Sequence, residues 1–387
     1  MDHSLYFHVP FCVHRCAYCD FNTYAGQESL IPEYVEALIR EIGSVAAAAP
    51  ERLAVQTIFF GGGTPSLLTP AQFEKIFSVV KNSFDLQPAL EASLEANPGT
   101  VSAEALRELR RLGFNRISFG VQSAHPDELR QLERIHDFFE VIQSVKWARQ
   151  AGFENLNLDL IYGLPEQTLS RWQESLRRVL DLEPEHLSLY ALTLEHGTPF
   201  GRWAARGLMP VPDPDLAADM YEWAGETLAA AGYGQYEISN WSKPGRQCRH
   251  NLQYWRGLPY LGLGAGAHGF ANRTRTANVL RIKTYIERCT DGRGGSFPAS
   301  PAAVNRQAIP EFVEMQETMM TGLRLTQEGV SSAAFRERFG KEMTEVFGKE
   351  IRELTGLGLL EWSGEIIRLT PHGRLLGNQA FMRFVGE

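Results

Sequence analysis

HVPFCVHRCAYCDFN, residues 8–22, decides how this chain is read, because it sets Cys12, Cys16 and Cys19 in a C-x3-C-x2-C spacing directly after the β-like run SLYFHVP (4–10). Three thiols so close together cannot all face one way along a strand or a helix. A loop, however, can wrap them around three corners of a cubane [4Fe-4S] cluster and leave the fourth iron without a protein ligand. Zinc completed by His8, His14 or Asp20 is an alternative, and so are thiols that hold no metal. Zinc sites usually pair their cysteines in two C-x2-C hooks, and no second hook is present, since Cys248 and Cys289 stand alone. Five cysteines, three of them within eight residues, also make a poor secreted disulfide framework.

Outward from the cysteines, β-like runs alternate with helical patterns. A helix over 30–48 is followed by VQTIFFGGG (55–63), a helix over 70–83, ALEASLEANP (89–98), a helix over 102–112 and RISFGVQS (116–123). Then come a helical stretch over 126–150, NLNLDLIYG (155–163), a helix over 168–182 and HLSLYALT (186–193). Six βα-type units predict an α/β fold with a parallel sheet curled into a partial (β/α)6, TIM-like barrel, whose ligands bind at the C-terminal strand ends. With a helix over 215–231 this unit is expected to span 1–232. The Gly- and aromatic-rich segment 233–300 reads as a lid or barrel extension that ends in a linker. Residues 301–387, helices followed by two β-like runs in GLGLLEWSGEIIRLTPHG, read as a small α+β domain of winged-helix type.

The 387 residues are 44% hydrophobic and 22% charged, an ordinary globular balance. A net charge of −8 gives no general attraction to phosphate backbones, so nucleic acid is not an expected partner. The start, MDHSLYFHVPFC, has neither a basic leader nor a long apolar run, and nothing later approaches the roughly 20 apolar residues of a membrane span. The expected location is the cytoplasm, with at most peripheral membrane association.

Gly61-Gly62-Gly63-Thr64-Pro65 follows the second β-like run. Glycines let backbone approach a ligand, and free N–H and C=O groups there can meet an amino acid's ammonium and carboxylate, although the same string also makes a plain tight turn. Glu95 in SLEANP, Gln122 in GVQS and Asp159 in LDLIYGLP place polar side chains among strand-end hydrophobics, with Arg134 in LERIHD between them. Each is costly there without a partner, structural or bound.

Cysteines so spaced after strand one of a partial barrel resemble the radical S-adenosylmethionine (SAM) superfamily, where an aromatic residue, here Tyr18, often precedes the last cysteine. The resemblance implies a [4Fe-4S] cluster on Cys12, Cys16 and Cys19, with SAM on the open iron and Gly62, Gly63 and Thr64 at its methionine end. With Tyr6 on strand one, Glu95, Gln122, Arg134, Asp159 and LYALTLEHGTPF (189–200), nearly the whole chain resembles the anaerobic coproporphyrinogen III oxidase-like family, in which the matching residues line the SAM pocket. True oxidases there carry C-x3-C-x2-C-x-C and a longer N-terminal extension. Here position 21 is Phe, and only eleven residues precede Cys12.

What remains, CDFN and HNLQYW (250–255), is similar to the HemW group of haem chaperones. That similarity implies haem as a ligand with His250 as its contact, a haem-accepting protein as partner, and a reductant such as flavodoxin or ferredoxin. A neutral imidazole is a good axial ligand of haem iron, and Tyr254 and Trp255 could offer the macrocycle flat apolar surface. A histidine beside aromatics is also commonly just a hydrogen-bonded core residue. Cys248 and His268 are secondary haem-ligand candidates. The competing functions are oxidative decarboxylation of coproporphyrinogen III, radical methylation, haem-ring opening, and a structural zinc protein.

Two further features read as structural. Gly262-x-Gly264-x-x-Ala267 fits a loose dinucleotide fingerprint but lacks the βαβ context. Arg336, Arg338, Lys341 and Arg352 are interleaved with acids, as on a solvated helix face.

Overall fold

The computed structural model describes residues 2–292 and 294–385. Strand β1 (His3–Val9) leads into the cysteine loop, whose two ends are clipped together by the two-residue strands β2 (Phe11–Cys12) and β3 (Tyr24–Ala25). β4 (Ala54–Gly62), β5 (Asp85–Ala96), β6 (Arg116–Gln122), β7 (Leu156–Tyr162) and β8 (His186–Ala191) then pair side by side, all parallel, in the order β1-β4-β5-β6-β7-β8. Their apolar runs are buried on both faces, as a parallel sheet covered by crossovers requires: every residue of β6 is buried.

The crossovers are helices α1 (Ile31–Ala48), α2 (Pro70–Ser83), α3 (Ala103–Leu112), the pair α4 (Pro126–Gln131) and α5 (Phe138–Gln150), and α6 (Leu169–Leu180). α2 shows why they form. Thr69 and Gln72 make a reciprocal capping box, Pro70 sits in the first turn, and Phe73, Ile76, Phe77 and Val80 recur on one face. Phe73 and Phe77 each meet Phe114 at 5.1 Å between ring centres, edge to face.

Residues 126–150, expected as one helical stretch, form two helices instead. Glu133 takes a positive φ of 56° between them, and Asp137 starts α5 afresh through a capping box with Glu140. The break matters because Arg134 lies in it.

Beyond β8 come α7 (Pro199–Ala205) and α8 (Pro214–Ala230), then β9 (Gly234–Glu237) and β10 (Asn240–Ser242), which extend the sheet antiparallel from β8. The chain crosses under the strands as α9 (Arg249–Trp255). It reappears at the opposite edge as β11 (Tyr260–Leu263), parallel to β1, followed antiparallel by β12 (His268–Ala271), β13 (Thr274–Asn278) and, after α10 (Ile282–Thr290), β14 (Ala303–Ala308). Residues 233–300 therefore extend both edges of an open twelve-stranded sheet. Residues 303–308, expected in the C-terminal unit, are the last strand of that sheet. The GLGAGA string is the turn from β11 to β12. A Cβ on Gly262 would lie 1.9 Å from the His268 carbonyl oxygen, so glycine is needed there for close strand packing, not for a nucleotide. Buried Glu41 of α1 anchors the turn, accepting from Gly264 N at 2.7 Å, Asn278 Nδ2 at 2.6 Å and the Tyr285 hydroxyl at 2.6 Å.

The C-terminal part contains α11 (Glu311–Gly322), β15 (Val330–Ser331), α12 (Ser332–Phe339), α13 (Met343–Gly356), β16 (Leu360–Ser363), β17 (Ile366–Leu369), α14 (Pro371–Leu375) and α15 (Gly377–Val385). Its three strands pair in the order β15-β17-β16, and it has its own core around Met315, Met319, Phe335, Met343, Phe347 and Phe381. Helices followed by a hairpin match the winged-helix expectation.

Candidate functional site

The cysteine loop leaves the C-terminal end of β1 and is held from three sides. Gly63 N donates to Val9 O and Thr64 N to Phe11 O, at 2.9 and 2.8 Å. Ala17 N donates to Leu132 O and Phe200 N to Ala17 O. Asn22 Nδ2 donates to Ala265 O at 3.0 Å, while the Asn22 carbonyl lies 2.9 Å from His8 Nε2. The glycine string presses so closely on this loop that a Cβ on Gly63 would sit 2.5 Å from Phe11 O and 3.0 Å from Cys12 Sγ. Its N–H groups, expected to be free for a ligand, are thus engaged: Gly62 N also donates, at 3.2 Å, to Glu95. Those of Gly63 and Thr64 tie down the cysteine loop, and that of Gly62 holds the Glu95 carboxylate.

Two of the three thiols, those of Cys12 and Cys16, are joined to the strand-end polar residues by a hydrogen-bond chain. The Thr64 hydroxyl donates to Cys12 Sγ at 3.7 Å, Asn97 Nδ2 to Thr64 at 2.9 Å, and Arg134 Nη2 to Asn97 Oδ1 at 2.6 Å, while Arg134 Nη1 reaches Cys16 Sγ at 3.4 Å. Burial pushes the Cys12 and Cys19 thiols up, a cost that metal coordination removes because the thiolate is what binds. Among the described residues no three His, Cys, Asp or Glu side chains are gathered tightly enough to cage a single ion. A four-iron cube takes thiolates at separate corners, and the three cysteines of one loop, all bordering one cavity, are donors of that chemistry.

These groups line one cavity of about 500 Å³ that runs down into the barrel. Every site residue expected from the sequence borders it: Tyr6, Tyr18, Gly62, Gly63, Thr64, Glu95, Gln122, Arg134, Asp159 and His250, with the three cysteines. Glu95 is raised to about 7, first by burial and then by the nearby Asp159. Asp159 accepts from Ser118 Oγ at 2.9 Å and Asn157 Nδ2 at 2.7 Å, and burial raises it too. Gln122 takes a positive φ of 67° at the end of β6. Tyr18 packs with Ala17, Leu132 and Phe200 in a small cluster under the loop.

Sequence reasoning passed over Asn97, Arg116, Asn157 and His186, which border the same cavity. Asn97, two residues beyond Glu95 in the same strand-end string, could have been found by the signal that found Glu95. Buried Arg116 and His186 sit at strand starts, where nothing local separates a cavity residue from a core one.

His250 lies at the far end of the cavity and is fully engaged. Thr57 donates its own proton to Ser4 Oγ at 2.6 Å, so His250 Nδ1–H donates to Thr57 at 2.8 Å and Nε2 accepts from the Tyr254 hydroxyl at 2.8 Å. The ring stacks on Phe59 at 5.1 Å, and burial lowers its pKa to about 3. Glu91 holds the start of α9, accepting from Arg249 N at 3.1 Å and His250 N at 3.0 Å. Cys248 is buried, and burial raises its thiol to about 12.

Residues 6–179 match the radical SAM superfamily and residues 310–376 the HemN C-terminal domain. The chain is 40% identical to the haem chaperone HemW of Bacillus subtilis strain 168, over 99% of each chain. It is 45% identical, over 69% of each chain, to the haem chaperone HemW of Escherichia coli K12. Coproporphyrinogen III oxidase (HemN) from E. coli, a radical SAM enzyme of known structure, has the same fold with a TM-score of 0.83 at 25% identity, covering 99% of this chain and 90% of that one. A radical SAM barrel with a HemN-type C-terminal domain, and relatives that match from end to end, show that the chain belongs to the HemW family of coproporphyrinogen III oxidase-like radical SAM proteins.

Proposed function

We propose that this protein is a haem chaperone that holds a [4Fe-4S] cluster on Cys12, Cys16 and Cys19, binds SAM at the open iron, and passes haem to an acceptor protein. The observation that carries the cofactor part is the single cavity that brings the three thiols together with Glu95, Gln122, Arg134 and Asp159. The bound cluster and SAM would supply one-electron cleavage of a carbon–sulfur bond. The chain's own part is positioning. Arg134 neutralises thiolate charge, the glycine string fixes the loop, Glu95 offers an acceptor to an ammonium group, and the barrel wall excludes water. A small electron-transfer protein such as flavodoxin or ferredoxin fits as reductant beside the exposed Phe21 and Val13 of the cysteine loop. Among the described residues no helix is long and apolar enough to cross a membrane, and we place the protein in the cytoplasm.

The haem part is supported by the likeness to HemW chaperones, and the absence of an oxidase-type fourth cysteine at Phe21 sets it against porphyrinogen decarboxylation. Haemin titration of the anaerobically reconstituted protein, with turnover on coproporphyrinogen III run in parallel, tests both. The expected outcome is saturable haemin binding and no decarboxylated product. Stoichiometric vinyl product would overturn the chaperone reading.

A further inference from the structure

A second cavity, of about 440 Å³, lies on the other side of Tyr6 and Tyr254, between strands β11 and β12 of the sheet and helix α11. Its size is ordinary for a cofactor-sized ligand. Aromatic side chains, Tyr254, Trp255, Tyr260 and Phe270, form much of its wall. The indole N–H of Trp255 is buried and has no hydrogen-bond partner among the described residues.

Two imidazoles reach this cavity, and they differ. His8 is buried, with Nδ1 3.0 Å from the Tyr6 hydroxyl and Nε2 2.9 Å from Asn22 O, so both nitrogens are occupied. His268 is exposed, and its ring has no hydrogen-bond partner among the described residues. Its backbone is nonetheless rigid, paired with Ala277 on β13 and packed against Gly262. A fixed backbone carrying a free imidazole into an aromatic cavity is the arrangement an axial iron ligand needs. At the mouth, Arg275 spends Nη2 on Glu317 at 2.8 Å and keeps further donors, while Arg338 is consumed by Glu314 and the Arg256 and Gly257 carbonyls.

The geometry points to this second cavity as the haem seat, with His268 as axial ligand to the iron and Arg275 meeting a propionate. His250, locked between Thr57 and Tyr254, then acts as a positioning residue: it fixes α9, and with it the Tyr254 and Trp255 walls of the seat. This assignment rests on the haem reading above and names the site it uses.

The test is haemin titration of the reconstituted protein followed by absorbance and electron paramagnetic resonance, comparing wild type with His268→Gly, His250→Phe and Thr318→Trp, the last of which fills the cavity from α11. His268→Gly should lose at least about tenfold in affinity together with the histidine-ligated spectrum, and added imidazole should restore that spectrum. Thr318→Trp should weaken binding to a similar extent. His250→Phe, which disturbs the Tyr254 and Trp255 walls but leaves the ligand in place, should lower affinity while keeping the histidine-ligated spectrum. Loss of that spectrum in His250→Phe but not in His268→Gly overturns the site. An unchanged spectrum and affinity in His268→Gly overturns the site while leaving the haem reading standing. A wild type that takes up no haemin overturns both.

Discussion

The cysteine loop and the HNLQYW helix are the two motifs that mark this chain, and the fold treats them in opposite ways. The loop is pinned by backbone hydrogen bonds to β1, the glycine string and the α4–α5 break, which leaves the sulfurs of Cys12, Cys16 and Cys19 at a cavity. The helix is pinned by its own functional-looking side chains: both nitrogens of His250 are spent, and Gln253 Nε2 donates to Asp2 O and Pro259 O. Where backbone carries the structure, side chains are left for chemistry. Where side chains carry it, a motif that reads as a ligand set is an anchor.

That contrast can be broken first at the loop. Cys16→Ser should remove the cluster altogether, with iron and sulfide falling to background, while the unfolding midpoint of the metal-free protein moves little. A comparable midpoint loss in the metal-free variant would mean that the thiol is a core group after all.

The helix should behave the other way round. Glu91→Ala leaves the buried His250 N–H without an acceptor, at about 1–3 kcal/mol, and frees the half-buried Arg249 N–H as well, so denaturant unfolding should show a clear loss of stability with iron binding retained. Loss of iron at unchanged stability would reverse the assignment of roles.

Arg134→Met sharpens the comparison inside the first cavity. It removes the donors to Cys16 and Asn97 but not the loop's backbone ties, so the cluster should assemble and SAM affinity should fall by about tenfold, the value of one hydrogen bond to a charged group. Calorimetric titration measures it, and equal affinity would confine Arg134 to a structural part.

The smallest effect is a pH slope. Glu95 is raised to about 7 by burial, so between its ordinary range and pH 7 the folded protein binds more protons there than the unfolded chain, and stability falls as pH rises through that window. Glu95→Gln should flatten the slope of unfolding free energy between pH 5 and 7, taken as about the span of the shift. An identical slope in both proteins would exclude Glu95 as its source.

Much of this was legible in the sequence for reasons the two motifs illustrate. Parallel strands such as β6 and β7 announced themselves as largely apolar runs between amphipathic helices, because both faces of such a sheet are buried. The cysteine spacing was legible because a loop motif keeps its partners local. Less local features were hidden. The break that places Arg134 depends on a positive φ at Glu133 and a fresh cap at Asp137, which the run of helix-compatible residues masks. The engagement of His250 depends on Ser4, Thr57 and Tyr254, the first two of them far away in sequence, and no local pattern shows that those atoms meet it. The placement of β14 in the large sheet depends on pairing with β13, a register that hydropathy does not encode.

The central claim is that the cysteine loop presents a four-iron cluster with one open corner to the barrel cavity. Iron and sulfide analysis of the anaerobically reconstituted protein, joined to the electron paramagnetic resonance spectrum of the reduced cluster with and without SAM, tests it most directly. The account predicts about four irons and four sulfides per chain and a spectrum that changes when SAM is added. Zinc in place of iron, or a cluster spectrum indifferent to SAM, would contradict it.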